Sequence, residues 1–204
     1  MLNVIVTDIF GKTPALNRII ARLSGEVKVV DPYEGTFNRF RDEAEAYNSF
    51  CRQGGLQSYT HALCNSVKYN DQPQYYIGFG IGAAALWRAS AHPALSRARA
   101  GIAFYGAQIR HFAQVSPRFP MTLVLPDYDS SYSVGQIVEK VSRHNFVTVK
   151  RTAMGEGFMN IQSANYSSFG FEKYCRALAR QSLYYANTSA DVSAKSFQEC
   201  IRQG

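Results

Sequence analysis

The residues best suited to chemistry fall in two places: a glycine-rich run, Gly78-Phe79-Gly80-Ile81-Gly82-Ala83, and the pair Arg110-His111. A glycine-rich turn between a strand and a helix serves two kinds of chemistry. Spaced G-x-G-x-x-G/A, it lets a dinucleotide pyrophosphate approach the backbone at a helix N-terminus, and Gly78, Gly80 and Ala83 satisfy those letters. That use belongs after a first strand and wants an acid about 20 residues further on for the ribose. No Asp or Glu occurs from Gln72 to Pro126. Spaced G-x-nucleophile-x-G, the turn is an elbow that exposes a Ser or Cys on a strained backbone. Gly78 and Gly82 then take the flanking places and Gly80 the place of the nucleophile, where glycine relaxes the backbone and removes the attacking atom. A turn that only packs helix on strand is the plain third reading.

These residues need elements to position them. Apolar, β-branched runs at Leu2 to Thr7, Glu26 to Val30, Gln74 to Phe79, Gly101 to Tyr105, Met121 to Leu125 and Phe146 to Val149 are predicted as strands. Helical spacing predicts helices over Ala15 to Leu23, Phe37 to Phe50, Leu56 to Tyr69, Gly82 to Ser90, Ser133 to Arg143, Phe169 to Tyr185 and Ala190 to Ile201. Strands separated by helices give a parallel sheet covered on both faces, so working residues belong on the loops at the carboxyl ends of the strands. The length of 204 residues fits a single domain over 1–204.

Six segments, in chain order, resemble the dienelactone hydrolase family of α/β-hydrolases. Val4-Ile5-Val6-Thr7-Asp8-Ile9-Phe10-Gly11 is similar to its first strand and oxyanion loop, and Val30-Asp31-Pro32-Tyr33 to the Pro-Asp-Leu-Tyr after its next strand. Gly78-Phe79-Gly80-Ile81-Gly82 is similar to its Gly-Tyr-Cys-Leu-Gly elbow, and Ile102-Ala103-Phe104-Tyr105-Gly106 to its strand ending in Tyr-Tyr-Gly. Leu123 to Val134 resembles the segment bearing the triad Asp, with Asp129 as the match, and Gly155-Glu156-Gly157-Phe158-Met159-Asn160 resembles the Gly-His-Gly-Phe-Met-Asn that bears the triad His. The resemblance implies a three-layer α/β/α architecture: a truncated α/β-hydrolase fold of about six mostly parallel strands in local order 2-1-3-4-5-6.

Carried over residue by residue, the resemblance places Gly80 at the nucleophile and Glu156 at the histidine, with Asp129 retained. Acyl transfer needs a nucleophile beside a base, so the implied protein is a pseudoenzyme that keeps a cleft for a small-molecule or protein ligand. The backbone N–H groups of Ile81 and of Ile9 or Phe10 would form an oxyanion-like nest, with Asp8 and Arg110 nearby. Asp8, Asp129 and Glu156 are expected to converge, and carboxylates held together call for a shared proton, a cation or a basic neighbour. Two alternatives stand: a hydrolase or esterase whose nucleophile has moved to Ser130, Ser131, Ser133 or Cys64, and a nucleotide- or phosphate-binding protein using Gly78 to Ala83.

Composition narrows the partners. No apolar run reaches the ~18 residues of a membrane span, and the N-terminal residues carry no signal-peptide pattern. Cys51, Cys64, Cys175 and Cys200 show neither CxxC pairing nor metal-finger spacing with His61, His92, His111 or His144, so reduced thiols in a cytoplasmic protein without metal or cofactor are expected. Tyr 13 and Phe 13 are scattered without a basic-aromatic motif, which argues against nucleic acid. The formal charge of +7 is uneven: Gln72 to Pro126 holds Arg88, Arg97, Arg99, Arg110 and Arg118 and no acid. That asymmetry predicts a modest anion preference along one side of the cleft. A homodimer contact through Ala190 to Ile201 completes the expectations.

Overall fold

A computed structural model describes residues 1–188. Six strands form one sheet: β1 (Leu2–Val6), β2 (Glu26–Val30), β3 (Gln74–Phe79), β4 (Ala98–Phe104), β5 (Met121–Pro126) and β6 (Val147–Thr152). Their order is β2-β1-β3-β4-β5-β6 and every pairing is parallel. The helices are α1 (Pro14–Ile20), α2 (Glu43–Arg52), α3 (Gly55–Val67), α4 (Ile81–Ala89), α5 (Val134–Val141) and α6 (Ser168–Asn187). β1, β3 and β5 are buried along their whole length, as expected for central parallel strands covered on both faces.

Two apolar layers flank the sheet. On one face Val4, Val6, Tyr76 and Leu123 pack with Phe50 of α2, Tyr59 and Leu63 of α3, Leu86 and Trp87 of α4, and Ile137 of α5. On the other, Ile5, Tyr75, Ile77 and Phe104 pack with Leu16 and Ile19 of α1 and with Phe171, Tyr174 and Leu178 of α6. The three-layer architecture and strand order are those expected from the sequence, and the sheet is wholly rather than mostly parallel.

The differences are local and have physical causes. Residues 37–42 are not helical, because Asp42 stops the backbone in an extended conformation and its carboxylate accepts from the Glu45 N–H to cap α2. β4 begins three residues before the apolar run, at Ala98, since pairing with β3 needs only backbone groups there. A 3-10 turn at Ala107–His111 follows β4, too short for periodicity to reveal. The helix predicted over Ala190 to Ile201, with its dimer contact and Cys200, lies outside the described residues. No helix among the described residues is long and apolar enough to cross a membrane.

The chain order reverses between β1 and β3, where α1 departs to one face and α4 to the other. In an open α/β sheet the crevice at that point, beyond the carboxyl ends of the strands, is the natural ligand site. The glycines of the run have steric reasons to be there. A β-carbon on Gly82 would collide with the carbonyl oxygens of Val6 and Thr7, and one on Gly78 would stand 2.8 Å from the Ala83 Cα. Gly82→Ala should therefore cost more than about 3 kcal/mol or prevent folding, in the range of severe overpacking. Gly135→Ala, in α5 with open space at its β-carbon, should instead be stabilising by about 0.5–1 kcal/mol. Denaturant unfolding of the two variants checks both outcomes.

Candidate active-site cleft

Gly80 stands at the tip of the turn with φ +52° and ψ −116°, a conformation L side chains rarely adopt. Its N–H is bonded to the Phe104 carbonyl, and its own carbonyl accepts from Ala84 in the first turn of α4. The elbow is thus fully built, with a tip whose conformation glycine adopts without strain and which carries no side chain.

Beside the tip lies a cavity of about 140 Å³ at the switch point. It is lined by Asp8, Ile9 and Phe10 after β1, Glu43 and Tyr47 of α2, Gly80 and Ile81 at the elbow, Tyr105, Ala107 and Gln108 after β4, and Glu156, Gly157, Asn160 and Ser163 after β6. Of the residues singled out from the sequence, Asp8, Ile9, Phe10, Gly80, Ile81 and Glu156 meet here. Asp129 and Arg110 do not line it. The Asp129 carboxylate accepts from the Ser131 N–H at 2.8 Å and from the Ser131 hydroxyl at 2.7 Å, closing its own loop, so the three-acid convergence is replaced by Asp8 and Glu156 in the cavity with Asp129 outside its lining. Arg110 donates to the Ala107 carbonyl and lies 5.2 Å above the Tyr132 ring.

Asp8 is the strut of the site. One carboxylate oxygen accepts from the Phe10 N–H at 3.0 Å, and the other accepts from the Asn160 amide at 2.6 Å. This ties the loop after β1 to the loop after β6, and it also occupies one expected donor of the nest. The N–H of Phe10 is committed to Asp8, which leaves Ile9 and Ile81, whose N–H groups make no hydrogen bond among the described residues. Tyr33 supports the same loop from below: its hydroxyl donates to the Ile9 carbonyl at 2.6 Å, while Asp31 accepts from the Tyr33 and Gly35 N–H groups.

Burial dominates the electrostatics. It pushes Asp8 up from 3.8 to about 6, opposed by the hydrogen bonds from Phe10 and Asn160 and aided by the charge of Glu43. It pushes Glu156 up from 4.5 to about 7, with Asp129 and Glu43 adding to the rise and Arg110 opposing it. The Tyr105 phenol is raised well above 10, mainly by burial. Its residue is 2% exposed, sits at φ +41°, and its hydroxyl approaches the Met159 main chain without reaching hydrogen-bond geometry.

Other candidates fall away from the cavity. Ser131 is bonded to Asp129, Ser133 caps α5, Ser130 is exposed, and Cys64, on α3, is buried in the core. His144 bonds the Ala113 carbonyl beside Trp87, His92 caps a 3-10 turn, and His61 and His111 are exposed. Among the described residues no three His, Cys, Asp or Glu side chains gather closely enough to hold a metal ion. The arginines behind the expected anion preference stand outside the lining; Arg88 covers the Phe112 ring and Arg97 pairs with Asp71. Sequence reasoning missed Glu43, Tyr47, Gln108 and Ser163. The only signal available was for Asn160 and Tyr105, which lie inside the quoted motifs without a role assigned to them.

No family model matches the chain. Among solved structures, it superposes on a protein of Klebsiella pneumoniae subsp. pneumoniae described provisionally as a dienelactone hydrolase, with a TM-score of 0.69 over 92% of this chain and 87% of that one, at 14% identity. The fold is that of the dienelactone hydrolase-like α/β-hydrolases. A dienelactone hydrolase-like promiscuous phosphotriesterase, P91, from metagenomic libraries superposes with a TM-score of 0.61 over 98% of this chain and 86% of its own, again at 14% identity. By sequence, the chain is 26% identical over 136 residues to the uncharacterized protein YczH of Bacillus subtilis (strain 168), covering 65% of this chain. The chain spans 66% of that relative's length.

Within this α/β-hydrolase fold the half-buried carboxyl of Glu156 has a stability signature. Its value is raised on folding, so the folded protein retains the proton between pH 4.5 and about 7 while the unfolded chain has lost it. Stability therefore falls as pH rises through that window. Glu156→Gln removes the penalty: it should be near neutral at pH 5 and stabilising by roughly 1–3 kcal/mol at pH 8, the upper end set by about 1.4 kcal/mol per pKa unit and discounted for partial exposure. Thermal and urea unfolding across that pH range measure the difference.

Proposed function

We propose that this protein is a catalytically degenerate dienelactone hydrolase-like pseudoenzyme, which binds a small molecule in the cleft beside Gly80 without acyl transfer. The observation that carries the reading is the intact elbow backbone around a residue with no side chain. Hydrolysis by this fold's elbow needs an attacking oxygen or sulfur at the tip and a base beside it; Gly80 supplies neither atom. Glu156, the counterpart of the histidine by resemblance, is a carboxyl whose hydrogen-bonding and charge differ from those of an imidazole.

The nucleotide reading is disfavoured by the same geometry. A phosphate at the N-terminus of α4 would face Asp8 and Glu156, with no cationic side chain in the lining, and like charges repel. The relocated-nucleophile reading narrows to Ser163, the one hydroxyl amino acid other than tyrosine in the lining. That hydroxyl is engaged in its own turn, donating to the Glu156 carbonyl at 3.5 Å and accepting from the Asn165 N–H at 3.2 Å.

Purified protein should hydrolyse p-nitrophenyl acetate and a simple dienelactone no faster than buffer, and a fluorophosphonate probe should label no serine. Iodoacetamide should label the exposed Cys51 well before the buried Cys64 and Cys175. Turnover above background that is lost on Ser163→Ala would overturn the proposal and establish a moved nucleophile.

A further inference from the structure

The cavity's lining specifies its ligand more narrowly than "small molecule". Three carboxyls, those of Asp8, Glu43 and Glu156, come from three different elements, and no Lys, Arg or His side chain is in the lining. Three aromatic rings, Phe10, Tyr47 and Tyr105, share the wall with Ile9, Ile81 and Ala107. Independently of the acids, the buried Tyr105 phenol has no hydrogen-bond partner of good geometry and lies within electrostatic reach of both Asp8 and Glu156. The volume, about 140 Å³, is close to the ~150 Å³ in which a benzene-sized molecule fits.

Resting on the reading of the cleft as a binding site, we propose that its ligand class is a small organic primary ammonium bearing a ring or a comparably compact apolar group. The ammonium supplies the positive charge and N–H donors that Glu156 and Asp8 can accept, and the apolar part lies against Phe10, Tyr47 and Tyr105, where ring faces also attract a cation. An ammonium suits the site better than a metal ion, because the carboxyls are not clustered at metal-ligand range. It also suits it better than a carboxylate, because the free Ile9 and Ile81 N–H groups are outweighed by three acids.

Binding of a cation must draw protons from the site. The groups that face Glu156 are Asp8 after β1, Glu43 on α2, Tyr105 and Arg110 after β4, and Asp129 and Tyr132 after β5. Of these, Arg110 alone is cationic, and its guanidinium is held by the Ala107 carbonyl over the Tyr132 ring rather than in the lining. Burial raises Asp8 to about 6 and Glu156 to about 7; a bound ammonium favours their ionised forms, so affinity rises with pH and protons are released.

The test uses three probes built on one ring: benzylammonium, benzyl alcohol and benzoate, titrated into the full chain by calorimetry at pH 6 and pH 8. The expected result is an affinity for benzylammonium at least about tenfold above that for benzyl alcohol, equivalent to one substantial polar contact, with benzoate binding weakest. Benzylammonium should bind several-fold tighter at pH 8 than at pH 6, with proton release visible as a buffer-dependent heat. Glu156→Gln should remove most of the preference, while Glu139→Gln, which removes an exposed carboxylate paired with Arg143 on α5, should leave it unchanged. Tightest binding of benzoate, or equal binding of all three, overturns the ammonium assignment while leaving the cleft as a binding site. Binding of none of them at millimolar concentration overturns the assignment outright. The separate reading of a cleft without hydrolysis fails only if esters are turned over.

Discussion

The constraint on which the site depends is the close approach of α4 to the carboxyl end of β1. It is possible only because Gly82 has no β-carbon to meet the Val6 and Thr7 carbonyls, and because Gly78 clears Ala83. Once α4 is seated there, its first turn must be entered through a sharp reversal after β3, and that reversal forces Gly80 to positive φ. The same contact fixes the spacing between the loops after β1 and β3, which are the two walls of the cleft. The elbow is therefore a property of the packing and survives without the nucleophile it can present.

A second link crosses the length of the chain. Asp8 joins the loop after β1 to Asn160, and a carboxylate used this way must be buried to reach its partners. Burial disfavours its charge, and Glu156 stands in the same low-dielectric space with Asp129 and Glu43 close enough to disfavour its charge as well. Folding thus places like charges together at some expense of stability. Such an arrangement is characteristic of functional clefts, where groups are held for a ligand rather than for the fold.

The fold was legible because its signals are redundant. β-branched runs mark the central strands, and Gly54-Gly55 marks the break between α2 and α3. The site was legible where its residues lie inside contiguous motifs, as Asp8, Gly80, Ile81 and Glu156 do. It was illegible where a residue reaches the cleft from an element whose own pattern is about packing. Glu43 and Tyr47 are exposed-face positions of α2 by periodicity, and only the placement of that helix beside the cleft gives them a second role. Asp129 lies outside the lining because a short loop lets an aspartate bond its own downstream N–H and hydroxyl groups, yet its charge still reaches Glu156.

The charge asymmetry shows why composition does not transfer to a site. The chain carries +7, and its acid-free stretch from Gln72 to Pro126 supplies both the elbow and β4. Yet at physiological salt a charge is screened over about 8 Å of solvent, so arginines at the amino end of β4 or the far end of α4 have little effect on the cavity. Within the cavity the nearest groups dominate, because charges a few ångströms apart are screened less than distant ones. Those groups are carboxyls, brought in by the loops after β1 and β6 and by α2, all outside the basic stretch. A protein with a basic surface and an acidic cleft can attract anions at long range and still reject them at the site, so ligand sign must be argued from the lining and not from the isoelectric point.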